Sequence, residues 1–269
     1  MAPRKTNKHY WQDRVREQNE RNRKRTNDET KRLLRQLYQE QSEILHAELG
    51  DIFLKMLDDA AGHNRIYLND LYRTNNYHRL INHFNECAKA IGGEQVKVTE
   101  DALLNVYALA QATVEKNLPK NMITPTFVVP EAINPEQVIH QTWCLDGKEF
   151  SDRIWQNKQA LVKDLTKTLS DYAARGETPY NMAQGIVKRL EVDEYAAYRI
   201  ARTETAHFQV KGQIDKYKEL GFTHGRFNAT DPCDDCAALD GLLFTLDELE
   251  SMIPKHPNCE CSFLLETEV

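Results

Sequence analysis

Four cysteines and a histidine crowd the end of the chain in two clusters. Cys233-Asp-Asp-Cys236 comes first, and His256-Pro257-Asn258-Cys259-Glu260-Cys261 follows about 20 residues later. Cys-x-x-Cys facing a second His/Cys group is ligand spacing for a structural zinc ion. A tight turn lets Cys233 and Cys236 aim both sulfurs inward. Pro257 keeps His256 and Cys259 out of regular helix, so these two converge from a turn. Cys259 and Cys261 stand two apart and in a strand would face opposite sides, so both reach one ion only if the backbone curls there. The first set is therefore Cys233, Cys236, His256 and Cys259, with Cys261 competing for the fourth place. Four filled positions leave none for water, which is the arrangement of a structural and not a catalytic ion. Binding of that kind contributes on the order of 10–16 kcal/mol, to a tail that has few apolar residues of its own to bury.

Other candidate chemistry is weaker. Pro232-Cys233-x-x-Cys236 and His46-Ala47-Glu48 are the two halves of a zinc-deaminase signature, but about 185 residues and a long charged helical pattern separate them. Arg202-Thr203-Glu204-Thr205, with His207 beyond, resembles an acid/base group. Arg202 and Glu204 do not share a helix face, whereas Thr203 and His207 do. The plainer reading is buried polar residues tying this helix to the cysteine knot. His63, His78 and His83 form no ligand pair and read as core or surface residues. No glycine-rich phosphate loop, Gly-x-Ser-x-Gly or His-Glu-x-x-His occurs. We assign no catalytic residue, no small-molecule substrate and no enzyme activity.

The elements that must position the knot read as helices. The 269 residues are 41% hydrophobic and 28% charged, with no apolar run near the roughly 18–20 residues of a membrane helix and no apolar stretch after the basic N-terminus. These features point to a protein folded in a cytosol, where a metal is a commoner use of clustered cysteines than disulfides. Cys87 and Cys144 stand alone and read as buried. Residues 1–36 carry 12 Lys/Arg against 5 Asp/Glu, whereas 231–269 hold 10 acidic residues and one lysine.

Residues 1–27 read as a basic arm, either a solvated, frayed helix or an anionic-surface contact. From Asp28, Leu34, Leu37, Ile44, Leu45, Leu49, Ile52, Phe53 and Met56 recur at helical steps up to Gly62, giving a helix long enough to pack on a neighbour or project as a stalk. Helices at about 75–91, stopped by Gly92-Gly93, and from about 99 complete an N-terminal domain over 28–118. Four prolines make 119–135 an extended connector. The C-terminal domain, 136–269, contains helices at about 135–144, 150–175, 178–190 and 193–220. Two short runs, Phe222–Phe227 and Cys261–Leu265, read as strands. The fold class is mainly α, with long N-terminal helices and a small α+β, zinc-stabilised C-terminal region.

Ala201-Arg-Thr-Glu-Thr205, Asp231-x-Cys-x-x-Cys-x-x-Leu-Asp-Gly241 and His256-Pro-Asn-Cys-Glu-Cys261 occur in that order. Together with Gly147–Trp155 they resemble the C-terminal domain of tailed-bacteriophage head-morphogenesis proteins, the Mu F-like minor head proteins, from about 140 to 261. Glu260 stands where that family usually has arginine. The resemblance implies a non-enzymatic minor capsid component present in few copies, made in the host bacterial cytoplasm and taken into the capsid interior beside the portal. Its implied partners are the portal protein or major capsid protein, and its implied roles are head assembly and genome packaging or ejection. The basic arm suggests packaged DNA as a further contact. A zinc-containing DNA-binding module is the first alternative, and a nuclease or toxin-like enzyme the second.

Overall fold

The computed structural model describes residues 10–59, 64–122, 134–144 and 146–267. The first nine residues of the arm, Gly62, His63 and most of the proline-rich connector lie outside them. Eight α-helices and three strands occur among the described residues: α1 (Tyr10–Asp59), α2 (Leu68–Tyr72), α3 (Asn76–Asn117), α4 (Pro135–Ile139), α5 (Phe150–Arg175), α6 (Pro179–Glu219), β1 (His224–Asn228), α7 (Asp234–Ala237), β2 (Leu243–Thr245), α8 (Leu246–Met252) and β3 (Ser262–Glu266). The mainly helical class with a small C-terminal sheet is thus as the sequence predicts. No helix among these residues is long and apolar enough to cross a membrane. The chain folds as two compact units: Met1–Thr30 with Thr99–Phe150 and Arg199–Val269, and Lys31–Val98 with Ser151–Tyr198.

The second unit is helical. Leu34, Leu45, Leu49, Ile52, Phe53 and Met56 from α1 are buried, as are Leu80, Phe84, Ala88 and Ile91 from α3 and Leu161, Leu165 and Leu169 from α5. Ile44 is exposed and Tyr38 takes a core place instead. Three boundaries differ from the sequence reading. Gly92-Gly93 does not stop a helix, because α3 runs through it. Gly92 serves close approach: a Cβ there would lie 2.6 Å from the Trp155 ring of α5, whereas one on Gly93 would meet nothing. Asp193 does not start a helix, because its carboxylate is occupied elsewhere. It accepts from the Tyr38 hydroxyl at 2.5 Å and from the ammonium of Lys158, and all three side chains are buried. Nor does the helix from residue 135 reach 144; it ends at Ile139.

The first unit holds the sheet, in the order β2-β1-β3 and antiparallel throughout, with Phe227 of β1 opposite Phe263 of β3. β1 and β3 are the two strands read from sequence. β2 and α8 are additional, joined at a capping box in which Thr245 and Glu248 exchange hydrogen bonds. The core combines Val114 of α3, Val210, Ile214 and Tyr217 of α6, and Phe227, Leu249, Phe263 and Leu265 of the tail with Trp11 and Val15 of α1.

Residues 10–27 are therefore not a frayed arm. Their inward face is mostly polar, and tertiary hydrogen bonds satisfy much of it: Gln12 donates to the Leu265 carbonyl at 2.6 Å, Asn22 to Thr113 at 3.3 Å, and Asn27 accepts from Thr205 at 2.7 Å. Such bonds, each worth about 1 kcal/mol net, fasten a segment that hydrophobic periodicity alone leaves loose.

The paired glycines of α3 give an expected contrast. Gly93→Ala should raise stability by up to about 1 kcal/mol, the propensity difference in an open helix position. Gly92→Ala should lower it, because Trp155 must move. Thermal unfolding of the two variants measures both.

Candidate metal centre

Cys233 caps α7 and Cys236 lies three residues on, so one helical turn presents both sulfurs on one face. Each Sγ is 3.4 Å from His256 Nε2. An ion about 2.3 Å from sulfur and about 2.0–2.1 Å from nitrogen holds S and N about 3.5 Å apart at the tetrahedral angle, so this spacing fits a zinc-sized ion. The other ring nitrogen, Nδ1, lies 3.0 Å from the Pro257 carbonyl and donates to it. That contact leaves Nε2 as the unprotonated donor facing the thiols, as in metal-bound histidines generally.

A second triad, Cys236, Cys259 and Cys261, shares Cys236 with the first. Within each triad the ligand atoms lie within 4.8 Å of one another. Cys259 and Cys261 do face the same way, because the segment before β3 curls: Asn258 has φ of +64°, and Cys259 N–H bonds back to the His256 carbonyl at 3.1 Å. Pro257-Asn258 is turn chemistry, which suits this bend. All five predicted residues are brought together, and each can offer a ligand atom.

Cys236, Cys259 and Cys261 are buried, whereas Cys233 is exposed. All six cysteines are free thiols, and Cys144 is half-buried, not buried as expected. Burial raises the Cys236 and Cys261 thiols above their ordinary range, because a low-dielectric setting opposes the thiolate. A cation bound among them reverses that preference.

The Arg202–His207 stretch of α6 holds the knot from the side. Thr203 Oγ1 accepts from the Asn258 N–H at 3.3 Å, which pins the left-handed residue of the turn. His207 Nδ1 donates to the Ile253 carbonyl at 3.2 Å while its ring stacks on Trp143, with centroids 4.2 Å apart. The Trp143 indole N–H donates to Glu204 at 2.7 Å. Arg202 pairs with Glu260. Glu204 and His207 are buried and engaged in these contacts, and Thr205, also buried, donates instead to Asn27 of α1. Arg202, Thr203 and His207 are ties between the helix and the knot region, as the plainer sequence reading has it, whereas Glu204 and Thr205 bond elsewhere. Trp143 and Arg23, which reaches the Glu260 carbonyl at 3.0 Å, escape sequence reasoning because neither sits in a ligand-like pattern. His46 lies in α1, in the other unit from the Cys233–Cys236 pair. His83 pairs with Glu48 at 2.8 Å, as a surface histidine does.

A helical chain closed by a sheet and a cysteine-histidine knot held by buried polar side chains defines a small metal-capable module. Residues 163–264 match the family described as phage Mu protein F like protein, so the resemblance read from the motifs is borne out over that segment. The matched segment is well under half of the chain, and the match suggests a phage head-related protein. Comparison with curated proteins and with solved structures returned no match.

Because Cys236 belongs to both triads, Cys236→Ser should remove metal whichever set binds, while Cys259→Ser and Cys261→Ser should differ if only one is the fourth ligand. Ligands bind deprotonated, so metal should be retained at pH 8 and released progressively towards pH 5 as protons compete. Elemental analysis of purified protein across that range reads both effects; wild-type protein free of metal at pH 8 would refute the site.

Proposed function

We propose that the chain is a minor head protein of a tailed phage, a non-enzymatic component of head assembly associated with the portal or major capsid protein. Its place is the capsid interior near the portal, after synthesis in the host cytoplasm, and its role extends to genome packaging or ejection. The resident ion is a structural zinc. The observation that carries this reading is that the Mu F-like segment contains all five candidate ligands and the polar motif beside them. The polar groups of that motif are engaged in holding the fold. Tetrahedral S/N coordination suits zinc.

Co-expression with the portal protein of the same phage tests the assembly role. We expect the two to co-purify in a fixed ratio; a chain that binds neither portal nor major capsid protein would sink the proposal.

DNA is a second partner, favoured by the outward face of α1. Arg14, Arg21, Lys24 and Arg25 are exposed there. Arg14 and Arg21 line a groove of about 340 Å³ together with Lys116 of α3. Contacts of this kind are sequence-blind and salt-sensitive. Deleting residues 1–27 is not a clean test, because Trp11 and Val15 would leave the core. The charge-reversed variant Arg14→Glu/Arg21→Glu should keep its helical circular dichroism and lose retention on duplex DNA at low salt; unchanged retention would remove DNA from the partners.

A further inference from the structure

Arg23 sits at the centre of the basic run Arg21–Arg25, where a reader of the sequence places a contact with solvent or phosphate. The fold does the opposite. Arg23 is 6% exposed, whereas Arg21, Lys24 and Arg25 face outward. Its Nη2 donates to the Glu260 carbonyl at 3.0 Å, the peptide oxygen between Cys259 and Cys261. Its Nη1 is buried without a hydrogen-bond partner. No carboxylate among the described residues forms a salt bridge with it. The charged or ionisable groups acting on it are Glu20 one turn earlier, the like charge of Arg202, and the two thiols Cys259 and Cys261. Arg202 itself is taken up by the Glu260 side chain.

A buried guanidinium with an orphaned nitrogen is costly unless an anion lies close. Neutral thiols do not supply one. Thiolates do, and they form when a metal binds. A divalent ion with three thiolates and one neutral imidazole carries a net charge of about −1, and with four thiolates about −2. A fixed cation beside that centre balances it, and the centre in turn repays the burial of the cation. The turns of α1 that precede Arg23 are also fastened to the C-terminal part of the chain. Trp11 and Val15 share a core cluster with Cys236, Cys259 and Cys261, and Gln12 donates to β3.

Resting on the metal reading of the knot, we propose that Arg23 is the counter-charge of the thiolate site, a positioning residue through which metal binding also fastens the N-terminal turns of α1 to the C-terminal knot. The run Arg21–Arg25 then has two roles set by helix phase, one inward cation for the metal centre and three outward ones. The fit needs no group beyond this chain and the ion.

Purified full-length protein tests this with three variants. Arg23→Gln keeps an amide donor for the Glu260 carbonyl and removes the charge; Arg23→Lys keeps the charge; Arg25→Gln is the exposed control. Each is loaded with zinc, and zinc is competed away by EDTA. Trypsin then reports on Arg21, Lys24 and Arg25, with cleavage read by mass spectrometry. We expect Arg23→Gln to hold zinc about tenfold or more less tightly, the scale of losses at groups that support metal ligands. Arg23→Lys should stay nearer wild type, and Arg25→Gln should be unchanged. Removing zinc from wild-type protein should open the 21–25 segment to trypsin before the helices of the second unit are cut. Zinc affinity in Arg23→Gln equal to wild type overturns the proposal. So does loss in Arg23→Lys as large as in Arg23→Gln, failure of Arg23→Lys to fold, or a zinc-free wild type whose 21–25 segment stays protected. Wild-type protein that binds no zinc at all overturns the metal reading itself, a result distinct from each of these.

Discussion

Thiols are weak hydrogen-bond donors and weaker acceptors, so three of them at the edge of a hydrophobic core cannot satisfy one another. Cys236, Cys259 and Cys261 are in that position, with the imidazole of His256 and the thiol of Cys233 closing over Cys236. Apolar side chains of similar size would pack there at less risk. The arrangement makes physical sense when an ion converts the sulfurs into strong ligands, and the neighbouring structure follows from that demand. A one-turn helix holds the first pair, a left-handed Asn258 bends the second cluster back, and Thr203 holds that bend by its N–H. Structural ions of this type are worth about as much as a typical domain's whole net stability.

The motif on α6 shows how residues that look catalytic can be structural. A glutamate, a threonine and a histidine within four positions suggest proton transfer. In the fold, Glu204 accepts a hydrogen bond from the Trp143 indole N–H, Thr205 donates to Asn27, and His207 is held between a carbonyl and an aromatic face. Each polar atom left without such a partner would cost about 1–3 kcal/mol in the core. These residues therefore specify how α6 packs.

What could be read from the sequence divides along physical lines. The clustering of the five candidate ligands was legible, because Cys and His at two fixed spacings admit few other uses. The approach of Cys261 to the same site was not, since it depends on the backbone angle at Asn258. Helix content was legible from period-3.6 burial, but helix ends were not. Gly92 looked like a terminator and is instead a contact point for Trp155, and Asp193 looked like a cap and instead serves Lys158 and Tyr38. In both cases a tertiary partner overrides the local preference of the residue, and no single-sequence pattern carries that partner's position. The start of α8 was not read, although Thr245-x-x-Glu248 has capping-box spacing.

Residues 10–27 show the same limit from the other side. Charge counting treats Arg21 to Arg25 as one basic patch, yet a helix turns 100° per residue and cannot present five successive side chains to one partner. Arg23 is buried together with Asn22, Thr26 and Asn27, Arg23 alone of these reaching the knot, and Arg21, Lys24 and Arg25 face outward. The inward set is polar, so hydrophobic periodicity misses it, and its hydrogen bonds reach β3, α3 and α6. A segment that reads as an appendage is thereby an integral wall of the unit that carries the cysteine-histidine knot. Its outward charges are consequently held on a rigid helix, and any anionic partner they meet encounters a fixed surface, which favours binding by lowering the ordering cost.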